Sequence, residues 1–297
     1  MFAVLLPVGP SDRELARLDD AVDALRAAER PERIELILID DAPQPRDLAG
    51  RLDWPSARVL RTPLWAGGRP PDPAGAMVAG TLAGLGLAAR LELEFLLKLD
   101  TDAHAIDPFA DALRDALTDP AVGIVGSYDR TCTGGVRDWT RWRRPLGRVG
   151  LPVSVVDAPA SRLGMRLVHR PAAARRAATR LLRQARARGY VTGEHCLGGA
   201  YAVSPALLAH DHLFATAPWL GTGLGEDVVL GLLCRAAGLE LRGLVGRDEP
   251  FGIEHVGLPA TPAELLASGH SIVHAVKHRD AATEERLRAV FRVARAT

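Results

Sequence analysis

The sequence predicts an α/β fold with a mostly parallel central sheet flanked by helices. Short apolar runs of strand length alternate with segments of helical periodicity, which is the order that builds a sheet with crossover helices. Most of these runs are apolar throughout, as expected for strands that are covered on both faces. With 297 residues, 47% of them hydrophobic, the chain has enough apolar material for one elaborated domain.

The first half of the chain begins with a well-marked strand and helix. The run from Phe2 to Leu6 is apolar, and Ser11 followed by Glu14 is a capping-box pattern that opens a helix with one apolar face. Asp107-Pro108 predicts a later helix start, with proline in the first helical position. The other predictions up to residue 126 are strands at 34–39, 58–61, 95–99 and 122–125, a loop rich in Pro and Gly at 63–75, and a helix at 74–90.

The second half is less regular. A long excursion with two tryptophans occupies residues 127–160, and a helix is expected at 171–188. The later predictions are a strand at 198–203, a helical turn from Ser204-Pro205, a glycine-rich loop at 219–225, a helix at 226–237 stopped by Gly238, strands near 240–245 and 252–256, a helix from Pro262 and a terminal Arg-rich helix. We therefore expect one domain over residues 1–280, with halves at 1–126 and 127–280, and a helical tail at 281–297.

Composition and charge restrict the classes of function. The 37 basic and 36 acidic residues leave a net charge of +1, which gives no indication of a nucleic-acid partner. Three widely spaced cysteines predict reduced thiols, and the apolar N-terminus lacks the features of a signal peptide. No window approaches ~18 apolar residues, so we expect no membrane span and a cytoplasmic location. The acid-free, Arg-rich segment 162–188 is interpreted as a solvated helix, with an acceptor cover or peripheral contact with an anionic membrane as alternatives.

Acidic residues follow two of the predicted strands, as Asp100-Thr101-Asp102 and Asp40-Asp41. Ligands of open parallel sheets bind outside the carboxyl ends of the strands, so both groups are expected at one edge. Asp100 and Asp102 can reach the same divalent ion, and hard oxygen ligands suit Mg²⁺ or Mn²⁺. The alternative for each group is an ordinary solvated turn or capping acid.

A third acidic group, Glu226-Asp227, follows Gly225 at a predicted helix start. Acids in a first turn stabilise a helix, but one placed in a cleft can also act as a general base. The preceding glycine-rich loop carries Trp219, whose ring is suited to stacking on a sugar.

Two of the nine histidines are candidates for a third metal ligand. His255 follows a predicted strand, and His274 lies in the polar stretch near the C-terminus, beside Lys277, which is suited to neutralising a diphosphate. A lone histidine is more often structural, and this reading applies to most of the others.

Taken in order, these pieces resemble family 2-like glycosyltransferases of the GT-A fold. The matching pieces are the strand and turn at 4–10, Asp40-Asp41, Asp100-Thr101-Asp102, Gly198-Gly199-Ala200-Tyr201 and Gly225-Glu226-Asp227. The resemblance covers about residues 1–280 and leaves 127–190 unfamiliar. Departures at Ala42-Pro43-Gln44-Pro45 and at Pro73-Ala74-Gly75-Ala76 concern the contacts with the donor base.

The resemblance implies a role for each matching position. Asp102 would be the main metal ligand, Asp227 the catalytic base beside Glu226, and His255 would complete the metal site in preference to His274. Donor contacts would come from Pro7, Val8, Gly9, Asp41 and Asp100, with Asp100 shared with the metal, and the acceptor side would be lined by the strand of Gly198 and Gly199. To these we add Asp40 and Lys277 on the donor side, and Tyr201 and Trp219 on the acceptor side.

The function implied is metal-assisted transfer of a sugar, with inversion, from a nucleoside diphosphate sugar of the UDP type to an acceptor hydroxyl. A sugar-phosphate nucleotidyltransferase is the nearest alternative, but the turn at 7–11 lacks the Arg-containing glycine-rich loop of that class. A haloacid-dehalogenase-like phosphatase would need Thr or Val at position 104, where this chain has His104. A catalytically degenerate nucleotide-sugar-binding protein is the non-enzymatic alternative.

Overall fold

The structure is a computed structural model and describes residues 1–62, 73–157 and 165–296. Its strands are β1 (Phe2–Val8), β2 (Ile34–Asp40), β3 (Ala57–Arg61), β4 (Leu96–Leu99), β5 (His104–Ala105), β6 (Val122–Gly126), β7 (Val153–Asp157), β8 (Met165–His169), β9 (Ala200–Val203), β10 (Glu240–Gly243), β11 (Phe251–Ile253) and β12 (Ile272–His274). Its α-helices are α1 (Asp12–Ala28), α2 (Leu48–Leu52), α3 (Pro73–Ala88), α4 (Ala110–Ala116), α5 (Arg143–Gly147), α6 (Ala172–Ala187), α7 (Pro205–Leu208), α8 (Glu226–Ala237), α9 (Pro262–Ala267) and α10 (Ala281–Ala296). Short 3₁₀ helices lie at Pro31–Arg33, Thr140–Trp142 and Asp211–Phe214.

The central sheet confirms the predicted α/β class. Its strand order within the described residues is β10-β6-β9-β4-β1-β2-β3. The pairs β1–β2, β1–β4, β2–β3 and β6–β10 are parallel, whereas β9 runs antiparallel between β4 and β6. The sheet is therefore mostly parallel, and β1, β2 and β4 present their carboxyl ends at one edge, where a ligand is expected.

Several predicted element boundaries agree closely with the structure. Helix α8 begins at Glu226 and ends at Ala237, and Gly238 takes the left-handed conformation with φ of 89° that a residue other than glycine would adopt at a cost. Thr261 and Glu264 form a complete capping box at the start of α9. Of the predicted loop at 63–75, residues 73–75 belong to α3 and the remainder lies outside the described residues.

The helix start predicted at Asp107-Pro108 is wrong. Helix α4 begins at Ala110, and the carboxylate of Glu29, at the end of α1, accepts the N–H groups of Phe109 and Ala110 at 2.8 and 2.7 Å. This cap comes from a residue about 80 positions away in the chain, so a local pattern does not contain it.

The capping box predicted at Ser11 forms only in part. The Ser11 hydroxyl accepts the N–H of Glu14 at 3.4 Å. The Glu14 carboxylate does not return to Ser11: it contacts Arg17 and accepts the hydroxyl of Thr101 at 2.5 Å. Glu14 thus ties the start of α1 to the turn after β4.

The long excursion predicted after β6 contains α5 and β7. Strand β7 pairs antiparallel with β8, and these two strands form a hairpin separate from the central sheet. Helix α6 follows the hairpin and packs against α8 with Ala178, Leu181 and Leu182 in the core.

The C-terminal helix is joined to α1 by a buried ion-pair network. Glu284 is 4% exposed and accepts from Arg13 at 2.7 Å and from Arg17 at 2.7 and 2.8 Å, while Arg288 donates to Asp20 at 2.9 Å. Burial acts against ionisation, but the hydrogen bonds from Arg17 lower the pKa of Glu284 to about 2. The segment predicted as a helical tail is thus anchored to the body of the domain.

We expect this network to make stability depend on pH at the acidic end. Because the folded-state pKa of Glu284 lies below the ordinary value of 4.5, its stabilisation is complete above that pH and is lost as the pH falls toward about 2. Urea unfolding followed over this range should show a steeper loss for the native chain than for Glu284→Gln. Parallel pH curves for the two proteins would contradict the assignment.

Candidate active site

A cavity of about 650 Å³ lies at the carboxyl ends of β1, β2 and β4. The predicted residues that line it are Pro7, Val8, Gly9, Asp41, Asp100, Asp102, His255, His274 and Lys277. The helix α1 contributes Arg13, Glu14 and Arg17, and the segment that follows β12 contributes His278 and Arg279. The ends of the parallel strands bring the first-half residues together here, and the separate sheet of β11, β12 and β5 adds the histidines and Lys277.

Asp100, Asp102 and His274 form the one group with metal-ligand spacing found among the described residues. One ligand atom from each lies within 4.8 Å of the others. Nδ1 of His274 lies 3.3 Å from the carbonyl oxygen of Glu254, which can accept its N–H, so Nε2 is the ring nitrogen that would bind a metal. Two carboxylates and an imidazole so oriented fit a divalent ion.

The electrostatics of this group favour ionised Asp102. Its Oδ1 lies 3.4 Å from Nε2 of His274, and its Oδ2 lies 3.9 Å from Nζ of Lys277. Burial opposes ionisation, but the contact with His274 lowers the pKa of Asp102, and the same contact outweighs burial and raises the pKa of His274. At Asp100, burial raises the pKa against the opposing charge of Lys98.

The structure places His274, and not His255, in the acidic group. His274 ends β12, and its ring packs on Gly199 so closely that an added Cβ on Gly199 would overlap it. His255 is exposed in the loop after β11 and lines the same cavity outside the group of three. The sequence ranked the two histidines in the opposite order, because the pairing of β12 with β5 beside the triplet is a tertiary feature.

Lys98 is a site residue that the sequence analysis missed. It is fully buried in β4, and its ammonium donates to Asp100 at 2.6 Å, to Glu226 at 3.2 Å and to the carbonyl oxygen of Gly198. Its Nζ also lies 5.6 Å from the centre of the Tyr201 ring. The available signal was a lysine within an otherwise apolar strand, since a buried lysine needs partners.

Replacing Lys98 with methionine should leave the buried carboxylate of Glu226 and the partly exposed carboxylate of Asp100 without their shared cation. We expect a loss of about 3–5 kcal/mol in the free energy of unfolding, measured by urea denaturation at neutral pH. The matched control is Lys277→Met, because that side chain is 59% exposed and should change stability by less than about 0.5 kcal/mol. Similar losses in both variants would contradict the bridging role of Lys98.

Asp227 and Glu226 differ in access, although they are neighbours at the start of α8. The Asp227 side chain is 19% exposed, and its Oδ1 accepts the N–H of Val228 at 2.8 Å. Glu226 is 5% exposed and is held by Lys98. Burial raises the pKa of both carboxyl groups. Asp227 is therefore the better placed to meet a substrate.

His195 lies beside Asp227 and was also missed by the sequence analysis. Its Nδ1 lies 2.6 Å from the carbonyl oxygen of Gly193, so Nε2 accepts from Arg137 at 2.9 Å. Burial and the charge of Arg137 lower the pKa of His195 to about 3, so the ring is neutral. Its Nε2 lies 3.5 Å from Oδ2 of Asp227 but carries no hydrogen to donate. Oδ2 of Asp227 therefore stays able to accept a proton from a substrate.

Asp40 was predicted as a donor contact, but its carboxylate is already hydrogen-bonded within the protein. It is 1% exposed and accepts from Nε and from the backbone N–H of Arg46 at 2.8 and 3.0 Å. Arg46 in turn donates to the carbonyl oxygens of Val8 and Gly9. Asp40 therefore braces the end of β1, and Asp41 is the member of the pair that lines the cavity.

Two aromatic residues predicted on the acceptor side are also corrected. Trp219 and Tyr201 are each 1% exposed and belong to the hydrophobic core, so neither ring is available to stack on a sugar. Gly198 and Gly199 do lie between the two acidic groups. An added Cβ on Gly198 would lie 2.6 Å from Oε1 of Glu226 and 3.5 Å from Oδ2 of Asp227, whereas Gly199 meets His274.

The fold is similar to that of solved glycosyltransferases. A galactosyltransferase, LgtC, solved in complex with donor and acceptor sugar analogues, superposes with a TM-score of 0.51 at 14% identity, covering 99% of this chain and 96% of that chain. The bifunctional glycosyltransferase WbbM superposes with a TM-score of 0.49 at 11% identity over all of this chain and 49% of that chain. No protein-family model and no curated protein sequence matches the chain. The first similarity shows that the chain has the GT-A fold, and it does not single out family 2.

Proposed function

We propose that this protein is a metal-assisted glycosyltransferase that uses a nucleoside diphosphate sugar. The observation that carries the proposal is one glycine pair: Gly199 lies against His274 of the metal-ligand group, and Gly198 lies against Glu226 and Asp227. A transferase of this kind needs an anion-binding centre for the leaving diphosphate and a separate carboxylate for the acceptor.

The donor side is the cavity bounded by the end of β1 and by Asp41. Pro7, Val8 and Gly9 offer a wall with little side-chain bulk, and Asp41 offers acceptor oxygens for a base or ribose. Lys277 is 59% exposed at the mouth and suits a diphosphate oxygen. The galactosyltransferase with the same fold holds donor and acceptor sugar analogues, which agrees with a two-substrate cleft here.

The proposed reaction is an in-line displacement with inversion. A divalent ion held by Asp100, Asp102 and His274 would offset the charge that develops on the departing diphosphate. Asp227 takes the proton of the acceptor hydroxyl while the hydroxyl oxygen bonds to the anomeric carbon. The bond between that carbon and the phosphate oxygen breaks, and the nucleoside diphosphate leaves. Lys98 holds Asp100 and Glu226 in place and so links the two halves of the site.

A thermal-shift screen of nucleoside diphosphates, each with and without Mn²⁺, tests this function. A nucleotide at about 100 times its dissociation constant contributes about 2.7 kcal/mol and should raise the midpoint of unfolding by about 5 °C. We expect the largest shift with UDP and Mn²⁺ together, and a smaller one with either alone. No shift with any nucleoside diphosphate and Mn²⁺ would contradict the proposal. A shift without sugar transfer to any acceptor would favour the degenerate, non-catalytic alternative.

A further inference from the structure

We propose that the outer face of the β7–β8 hairpin and the neighbouring arginine row of α6 form a docking surface for an anionic membrane. This surface is defined by the apolar residues Leu151, Val155 and Leu167 and by a row of three arginines, Arg176, Arg180 and Arg183. It is separate from the cavity at the carboxyl ends of the strands, and its argument does not depend on the proposed reaction.

The hairpin has one buried face and one exposed apolar face. Val156 is 2% exposed, and Val168 packs against Gly221 of the glycine-rich loop, where an added Cβ would lie 2.6 Å from Cγ1 of Val168. Val155 and Leu167 stand directly opposite each other on the outer face and are 56% and 66% exposed. A two-stranded ribbon normally turns polar residues to water on its free face, whereas this one presents an apolar cross-strand pair.

The hairpin is held firmly in this orientation. Arg170 ends the hairpin, is 4% exposed, and donates to the carbonyl oxygens of Pro218 at 2.5 Å and of Leu220 at 3.2 Å. Its backbone N–H also donates to the carbonyl oxygen of Pro152 at 2.9 Å. The apolar outer face is therefore a fixed surface of the domain.

The arginine row lies next to the loop that leads into the hairpin. Arg176, Arg180 and Arg183 are exposed, recur at helical spacing and line a shallow depression together with Gly150, the residue before Leu151. Arg175 fastens the helix to this loop by donating to the carbonyl oxygen of Gly150 at 3.2 Å. Leu151 itself is 47% exposed. The arginine row is thus joined through Gly150 and Leu151 to the loop that leads into β7.

Charge decides what kind of partner fits. Between positions 139 and 193 the chain has thirteen arginines and one acidic residue, Asp157, whereas its net charge as a whole is +1. A second copy would bring the same positive charge against itself. An anionic bilayer accepts both parts, because arginines bind lipid phosphates while apolar side chains enter the boundary between headgroups and acyl chains. The contact we propose is peripheral; among the described residues no helix is both long and apolar enough to cross a bilayer.

Co-sedimentation of the full chain with vesicles tests this surface. Phosphatidylcholine vesicles with phosphatidylglycerol should bind the chain, and vesicles of phosphatidylcholine alone should bind it much more weakly. Replacing Arg176, Arg180 and Arg183 together with glutamine should weaken binding at least about tenfold, and raised salt should do the same. The charge-matched control replaces the exposed Arg30, Arg90 and Arg247 with glutamine and should retain binding.

The role of the apolar residues is tested by a second pair of variants, one on the surface and one control. Leu167→Asn should weaken binding about tenfold, whereas Val293→Asn, at a side chain 65% exposed on α10, should not. All of these side chains are exposed, so unchanged unfolding midpoints are expected. Equal binding to neutral and anionic vesicles, or equal losses in row and control variants, would overturn the proposal. A dimer in sedimentation equilibrium that dissociates on Leu167→Asn would assign the surface to a second copy instead.

Discussion

Replacing Asp227 with asparagine is expected to lower kcat by about 10²–10⁴-fold while leaving donor binding unchanged. Its Oδ1 accepts the N–H of Val228, and asparagine can keep that contact through its amide oxygen, so the helix start should be preserved. The amide cannot take a proton from the acceptor hydroxyl. The measurement is turnover of the donor that the thermal-shift screen identifies, together with calorimetric binding of the same donor.

The neighbouring acid provides the control for this prediction. Glu226→Gln alters the contact with Lys98 in a position that is 5% exposed, so it should lower the unfolding midpoint more than Asp227→Asn does, and it should retain more turnover. Near-normal turnover of Asp227→Asn would remove Asp227 from the role of base. A greater loss of turnover in Glu226→Gln would transfer that role to Glu226.

Replacing Asp102 with alanine is expected to weaken metal-dependent binding of the nucleoside diphosphate by more than about 100-fold. Loss of an outer partner of a metal ligand already costs about 10–100-fold, and Asp102 is placed to be a direct ligand. It also lies 3.4 Å from Nε2 of His274 and 3.9 Å from Nζ of Lys277. Calorimetric titration of the nucleotide with Mn²⁺ present and absent measures this effect, and unchanged affinity with Mn²⁺ would contradict it.

The two histidines of the cavity make this test sharper. His274→Ala should reduce Mn²⁺-dependent binding, because the ring lies in the group of three, whereas His255→Ala should leave it within about twofold. The reverse result would place His255 in the metal site, as the sequence alone had ranked it. Both variants should keep metal-independent nucleotide binding, which separates loss of the ion from loss of the cavity.

Much of the site could be predicted because it depends on where strands end. The apolar runs that form β1, β2 and β4 were predicted as strands, and parallel strands bring their carboxyl ends together. Asp41, Asp100 and Asp102 therefore line one cavity, as expected from their positions after those strands. The helix start at Glu226 could also be predicted, since Gly225 and Gly238 flank a segment of apolar helical periodicity.

Other residues could not be assigned from local pattern because their partners are distant in sequence. Asp40 and Asp41 are adjacent acids, and only the position of Arg46 shows that the carboxylate of Asp40 is ion-paired within the protein. Trp219 occupies a glycine-rich loop that is typical of an exposed binding segment, yet packing buries it in the core.

The sequence by itself determined the fold class, the order along the chain of the strands that form the central sheet, and the edge of that sheet where the acidic groups meet, because these follow from hydrophobic periodicity and from the parallel direction of the strands. It did not predict β5, β7, β8 or β12. Only the tertiary structure decided that His274 joins Asp100 and Asp102, that Lys98 bridges to Glu226, and that His195 lies beside Asp227. These contacts join residues about 30 to 170 positions apart. They arise from the insertion of β9 beside β4 and from the packing of β12 against β5, which are pairings between strands that no local pattern encodes.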